Sequence, residues 1–460
     1  MTITPAFSVS GQRVVVVGAA RSGVAAAHLL VTRGASVVLT DTRETIDPAD
    51  ELRRAGVVLE LGGHRPETLA SADLIVLSPG VSPRQADVAA ARAAGVPVIG
   101  EVELASRWLA GRIVAITGTK GKSTTTTLVG RMLAEGGFKA AVGGNIGVPL
   151  SAQVAASTPD VIHVVEASSF QLETTEQFRP WIAVLLNLSA DHLDRHDSLE
   201  AYAAAKGRIF ANQQADDFAV VNVDDAASLA LARTRARLVP LSPSAAIADG
   251  IVVTSEAIAH RRAGVDAPLV PVSAVRLLGR HLLTDVAAAA AVAEIAGVSP
   301  EAMVRAVEGF TGLEHALEPV SSIQGVGFVN DSKATNIESA ARAIESIDQG
   351  LVVILGGRFK GGDFTDLRGA LTERAARVVA IGESAPLIHD ALDTAVPVHD
   401  AADMTAAVRS AFAVAAPGET VVLAPACSSF DMFRDYAERG RVFKQEVVRL
   451  REEFNGTREQ

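Results

Sequence analysis

Ile113-Val-Ala-Ile-Thr-Gly-Thr-Lys-Gly-Lys-Ser-Thr-Thr-Thr-Thr127 decides how the chain is read. The apolar run Ile113 to Ile116 predicts a buried strand, Gly118 to Gly121 a tight loop, and Thr124 to Ala134 a helix. Glycine lets a backbone wrap closely round an anion, and a helix start offers it unpaired N–H groups. Lys122 is placed to neutralise phosphate oxygens, and the Ser123 hydroxyl to hold Mg²⁺. The full phosphate-loop pattern wants glycine where Ile116 stands, so this loop is a short form: Gly118, Thr119, Lys120, Gly121, Lys122, Ser123, Thr124. An ordinary strand-to-helix turn accounts for one glycine, but not for Gly-x-x-Gly-Lys-Ser between a strand and a helix.

Composition narrows the class. A chain of 460 residues is too long for one core, so two to three domains are expected. With 48% hydrophobic and 21% charged residues it reads as a folded enzyme rather than a disordered chain. Aromatics are only 4%, which leaves core building to Ala, Val and Leu. A net charge of -11 argues against a nucleic-acid surface. Anionic ligands must then be met by local lysines, arginines and helix starts. Cys427 is the only cysteine, which excludes a disulfide and a cysteine zinc site. No basic stretch leads into a long apolar segment near the start, and Val286 to Ala293 is too short to span a bilayer. A cytoplasmic location without membrane contact is the expectation.

Upstream of the phosphate loop, strand Arg13 to Val17 runs into Gly18-Ala-Ala-Arg-Ser-Gly23, a helix, and strand Ser36 to Leu39 with Asp41 at its end. This is a βαβ unit with an acid about twenty residues past a Gly-x-Ala-x-x-Gly turn. A dinucleotide, a sugar nucleotide and a purely structural turn all fit it. Strand Leu74 to Leu77 leads into Ser78-Pro-Gly80, and Val96 to Ile99 ends the module. Downstream, Ala141 to Leu150 with Gly143-Gly-Asn145-Ile-Gly147 reads as a tight loop. Glu166 ends strand Val161 to Val165, well placed to hold Mg²⁺. After strand Trp181 to Leu188 comes Asp191-His192-Leu-Asp194-Arg-His196, either a metal- or proton-handling cluster or a solvated polar loop. Lys206 lies on a helix among alanines and becomes reactive only if buried. Leu241 to Pro271 reads as a small inserted sheet. A third α/β module places Asn330-Asp-Ser-Lys-Ala-Thr-Asn336, Gly356-Gly-Arg-Phe-Lys360 and Ala424-Pro-Ala-Cys-Ser-Ser-Phe-Asp431 at strand ends.

The predicted class is α/β in three modules. Residues 1–100 form a Rossmann-like domain, 101–312 a P-loop ATPase-type parallel sheet with a small extra β region, and 313–460 a second Rossmann-like domain. Together, Gly118 to Thr124, Gly144-Asn-Ile-Gly147, Glu166-Ala-Ser-Ser-Phe-Gln171, Asp191-His-Leu-Asp194, the 330–336 stretch and Gly356-Gly with Lys360 resemble the Mur ligases of cell-wall synthesis, in the same order and across essentially the whole chain.

The resemblance implies a reaction and a site. ATP, UDP-N-acetylmuramoyl-L-alanine and D-glutamate would be joined through an acyl phosphate, giving ADP and phosphate. Lys122, His192, Lys206 and Lys333 would be catalytic. Gly118 to Thr124, His281 and Asp331 would hold ATP. Ser123, Glu166, His192 and Lys206 would hold two Mg²⁺ ions, with Lys206 carried as a carbamate. Arg21, Ser22, Asp41, Thr42, Ser78, Gly80, Asn145, Ser168 and Gln171 would bind the UDP substrate, which turns the first module towards UDP. Lys333, Thr335, Lys360, Ser429, Phe430 and Tyr436 would surround glutamate. The third module would close over the second to keep water from the acyl phosphate, and a monomer is expected.

Two departures from the family pattern fall on ATP-binding positions. His281 is followed by Leu282 and Asp285 where the family has asparagines, and His315 by Ala316 where it has arginine. Arg276, Arg280 and Arg358 are the candidate substitutes. A sibling ligase adding another amino acid, such as L-glutamate, and a non-catalytic UDP-sugar-binding regulator are the alternatives to the main reading.

Overall fold

The computed structural model describes residues 7–189, 191, 195–276, 282–347 and 350–456. The chain packs as two compact units, Met1–Val275 with Leu283–Gly309, and Arg276–Leu282 with Phe310–Gln460. Among the described residues there are three sheets, two in the first unit and one in the second.

The first sheet comprises β1 (Arg13–Val17), β2 (Ser36–Asp41), β3 (Val58–Leu61), β4 (Leu74–Leu77) and β5 (Val98–Gly100). All pair in parallel in the order β3-β2-β1-β4-β5. A parallel strand covered on both faces needs a continuous apolar run, and Val14 to Val17 are fully buried. The chain reverses direction across the sheet between β1 and β4. The loop after β1 therefore opens at a switch point, where ligands bind in such sheets.

The second sheet carries the phosphate loop. Its strands are β6 (Arg112–Thr117), β7 (Lys139–Gly144), β8 (Val161–Glu166), β9 (Ile182–Leu185), β10 (Phe218–Asn222), β11 (Arg237–Ser242), β12 (Gly250–Val253), β13 (Ala257–Arg262) and β14 (Val265–Pro271). Their order is β14-β13-β12-β11-β10-β9-β6-β8-β7. Two expectations need correction. The stretch from Leu241 to Pro271 is not a separate sheet: β12 pairs in parallel with β11, and β13 and β14 continue the same sheet antiparallel. Nor is Ala141 to Leu150 all loop, because residues up to Gly144 belong to β7. The glycine there serves close approach within the ladder; a Cβ on Gly144 would lie 2.4 Å from the Glu166 carbonyl oxygen.

Helix Leu282–Ala296 has every residue from Asp285 to Ala293 buried, so its alanines let neighbouring backbones come close. Helix Lys122–Glu135 starts directly after Gly121 and buries Leu128, Val129, Met132 and Leu133. Each such aliphatic side chain contributes on the order of 1.5–3 kcal/mol, so this aromatic-poor core is built from many modest terms.

In the second unit the sheet comprises β15 (Glu318–Ile323), β16 (Val326–Asn330), β17 (Leu351–Gly356), β18 (Arg377–Ile381), β19 (Val398–Asp400) and β20 (Thr420–Leu423), in the order β15-β16-β20-β17-β18-β19. Only β15 is antiparallel among these described strands. The carboxyl ends of β16, β20 and β17 are therefore neighbours, and each opens into one of the polar loops read from the sequence.

Candidate active site

The phosphate loop leaves β6 and turns at Gly121, whose φ of +83° is the left-handed conformation that glycine adopts without strain. Lys122 folds back over the loop, its Nζ donating to Gly118 O at 3.0 Å and Thr119 O at 2.8 Å. Asn187, at the end of β9, clamps the other side. Its Oδ1 accepts from the backbone N–H groups of Thr119 and Lys120 at 3.1 and 2.9 Å, and its Nδ2 donates to Lys120 O at 3.1 Å. Lys120 Nζ lies 3.8 Å from Asp191 Oδ2.

Lys206 is buried, not solvated. It is 1% exposed, with Nζ donating to Gly118 O at 2.7 Å and sitting 4.6 Å from the centre of the Tyr202 ring. Burial, reinforced by the charge of Lys122, lowers its pKa to about 6. At neutral pH it is therefore an amine. Glu166 is 1% exposed; one carboxylate oxygen accepts from Asn145 Nδ2 at 2.7 Å, and Oε2 is buried with no hydrogen-bond partner among the described residues. Such an orphan costs free energy unless something meets it. A hard cation suits that oxygen together with the Ser123 hydroxyl. No group of three His, Cys, Asp or Glu side chains forms a metal cluster among the described residues.

Asp285, one of the departures, stands behind the loop. A Cβ on Gly121 would lie 2.1 Å from its Oδ1, and its Oδ2 is buried without a partner among the described residues. Burial raises its pKa to about 7, against the opposing pull of Lys122. His192, Asp194, Arg280 and His281 lie outside the described residues.

At the first sheet, the predicted UDP residues collect around the loop after β1. Asp41 Oδ2 accepts from Ala19 N at 2.6 Å, and its carboxylate is gripped by Arg43 at 2.8 and 2.9 Å. The Arg43 guanidinium holds Asp41 well below the usual carboxylate range. Ser78 Oγ donates to Gly18 O at 2.7 Å, which braces the loop. Arg21 hydrogen-bonds Gly147 O, linking this loop to the turn that carries Asn145. Ser22 lies in the first turn of helix Arg21–Thr32, and Thr42 and Gly80 lie in the loops after β2 and β4. A cavity of about 750 Å³ opens beside Ala20, Arg21 and Arg43. Ser168 and Gln171 form a reciprocal capping box on helix Ser169–Leu172, so both have structural work besides any ligand contact.

In the second unit Lys333 and Lys360 are exposed, Thr335 is half-buried and Ser429 is buried. Phe430 and Tyr436 are 62% and 40% exposed. Asp331 is buried, accepts from Leu317 N at 3.2 Å, and has its pKa raised to about 7 by burial. His315 is 4% exposed and receives a hydrogen bond at Nδ1 from Asn330 Nδ2 at 2.9 Å. Arg358 is engaged by Glu383 at 3.0 and 3.1 Å. Asn187, Tyr202 and Arg439 were not singled out from sequence. Asn187 could have been suspected from its place at a strand tip beside the loop; the other two carry no local signal.

Three family models match the chain in order: Mur ligase MurD-like, N-terminal domain over residues 12–100, Mur ligase middle domain over 116–293, and Mur ligase, glutamate ligase domain over 317–427. The chain belongs to the Mur ligase family. The relatives narrow this further. A protein named UDP-N-acetylmuramoylalanine--D-glutamate ligase from Acidobacterium capsulatum is 46% identical over 96% of this chain and 97% of its own. A second of that name, from Koribacter versatilis, is 42% identical over 97% of this chain and 99% of its own. The MurF ligase of Thermotoga maritima, solved in complex with ADP, shares the fold with a TM-score of 0.58 at 15% identity over 96% of each chain.

Proposed function

We propose that the protein joins D-glutamate to UDP-N-acetylmuramoyl-L-alanine at the expense of ATP, in peptidoglycan precursor synthesis. The observation that carries this reading is the juxtaposition of Lys122, the amine of Lys206 and the orphan oxygen of Glu166 around one phosphate loop. Full-length relatives of the same name support the substrates.

The chemistry asks two anions to meet. The alanine carboxylate attacks the γ-phosphorus, the bond to ADP breaks, and an acyl phosphate forms. Loop N–H groups and the start of helix Lys122–Glu135 hold the phosphates in line, and Lys122 leaves its carbonyl partners to neutralise charge that grows during transfer. Ser123 and Glu166 would hold Mg²⁺, which supplies further charge neutralisation when bound. The amino group of D-glutamate then attacks the acyl carbon, phosphate leaves, and the amine gives up a proton. Lys206, neutral and desolvated, is suited to react with CO₂ and become an anionic carbamate.

The reading includes the domain limits 1–100, 101–312 and 313–460 for UDP, ATP and glutamate respectively. Lys333, Thr335, Lys360, Ser429, Phe430 and Tyr436 are its glutamate residues. It also includes a monomer acting in the cytoplasm, away from nucleic acid; no helix among the described residues is long and apolar enough to cross a membrane. The test is phosphate release from ATP and Mg²⁺ with UDP-N-acetylmuramoyl-L-alanine and a panel of D- and L-amino acids. Release with D-glutamate is expected. Release with L-glutamate instead would identify a sibling ligase, and UDP-substrate binding without any release would identify a regulator.

A further inference from the structure

Helix Tyr436–Gly456 sends Arg439 under the carboxyl ends of three neighbouring strands. The residue is 1% exposed. Its Nε donates to Ser332 Oγ at 2.9 Å and its Nη2 to Ser332 O at 2.9 Å, in the loop after β16. Nη1 donates to Cys427 O at 3.1 Å, after β20, and to Gly356 O at 3.5 Å, at the end of β17. Ser332 Oγ passes the chain on to Tyr436 O at 2.7 Å. All these acceptors are neutral, and no carboxylate forms an ion pair with Arg439 among the described residues. Burial lowers its pKa to about 10, so it stays a cation at neutral pH.

A buried cation hydrogen-bonded only to neutral groups, with Asp431 acting on it through space alone, is a poor device for stability alone, since an apolar residue of similar size would serve as well or better. Its place suggests another use. The loop after β16 carries Lys333 and Thr335, the loop after β17 carries Lys360, and the loop after β20 carries Ser429 and Phe430. One planar fork thus sets the spacing of all three, and its charge, which Asp431 meets only through space, lies beneath them.

We propose that Arg439 is the positioning residue of the amino-acid pocket, holding the three loops in register and biasing the pocket towards an amino acid with two carboxylates. This rests on the reading that those loops receive glutamate.

The test uses the full chain with ATP and UDP-N-acetylmuramoyl-L-alanine at saturation. Arg439→Gln is expected to raise the KM for D-glutamate at least about tenfold, leave the other two KM values within about twofold, and cut the preference for D-glutamate over D-glutamine at least about tenfold. Arg439→Lys, which keeps charge but not the fork, is expected to retain that preference with a raised KM. A uniform rise in all three KM values, or a lowered melting temperature with D-glutamate kinetics intact, would overturn the proposal. If Arg439→Gln does not fold, Arg439→Lys decides alone: a rise confined to D-glutamate supports the assignment, and any other pattern overturns it. Wild-type protein inert towards D-glutamate would defeat the functional reading and this inference with it, whereas active wild type with indifferent variants would defeat the inference only.

Discussion

The phosphate-loop end of the nine-stranded sheet and the carboxyl edge of the six-stranded sheet solve the same problem in opposite ways. Around Gly118 to Ser123 the ionisable groups face one another: Lys122 and Lys206 share the Gly118 carbonyl, and Glu166 keeps an oxygen nearby that has no partner among the described residues. At the other edge the charged side chains Lys333 and Lys360 stand exposed, while one buried guanidinium binds their loops from below. The first arrangement tunes reactivity by desolvation, and the second fixes geometry by hydrogen bonds to backbone. Chemistry should therefore fail outright when the first is damaged, and selectivity when the second is.

The largest effect is expected at Lys122. Lys122→Ala should lower kcat by about a thousandfold or more, because charge neutralisation at the transferring phosphoryl group is lost, while UDP-substrate affinity measured by calorimetry stays near wild type. A loss of UDP-substrate binding of similar size would erase the contrast. Lys206→Arg should follow, with about a hundredfold loss. The wild-type amine, neutral above about pH 6, should yield a carbamate carbon signal after incubation with ¹³C-bicarbonate, and the variant should not.

The third expected effect concerns Asp285 and has a defined sign. Its folded pKa, about 7, is above the ordinary aspartate value of 3.8, so the native state binds the extra proton between those values. Its stability contribution is present below about pH 4 and lost as pH rises through about 7. Asp285→Asn should therefore be more stable than wild type at pH 8, by on the order of 2–4 kcal/mol, with a higher melting temperature, and show less difference at pH 5. Equal melting curves at both values would remove the desolvated acid from behind the loop. The smallest effect belongs to Arg358. Because Glu383 already engages it, Arg358→Ala should change nucleotide affinity by no more than about twofold.

What was legible in the sequence is what local spacing encodes. Gly118 to Ser123 sits between a strand and a helix because three short-range patterns coincide within fifteen residues, and Glu166 announces itself as the acid at the tip of an apolar run. The buried runs of β1, β4, β17 and β20 were readable for the same reason. β3 was not, because its residues alternate only weakly, and β7 was obscured because its terminal glycines look like a loop until the Glu166 backbone beside them is known. Asn187, Asp285 and Arg439 act on residues 67, 164 and 107 positions away in the chain, counting Asn187 to Lys120, Asp285 to Gly121 and Arg439 to Ser332. No pattern of near neighbours reports a contact of that range. The resemblance to a family supplied roles for other residues, marked Asp285 only as a departure from the pattern, and was silent about Asn187 and Arg439.

A single carbonyl, that of Gly118, tethers two lysine nitrogens, at 3.0 Å from Lys122 and 2.7 Å from Lys206. Turning the second amine into an anion would remove one of the rivals and leave a counter-charge in its place. The first lysine would then be drawn by a new electrostatic neighbour as well as by the nucleotide. Modification of one residue and the grip of the other on ATP would in that case be thermodynamically linked, each favouring or opposing the other by the same factor.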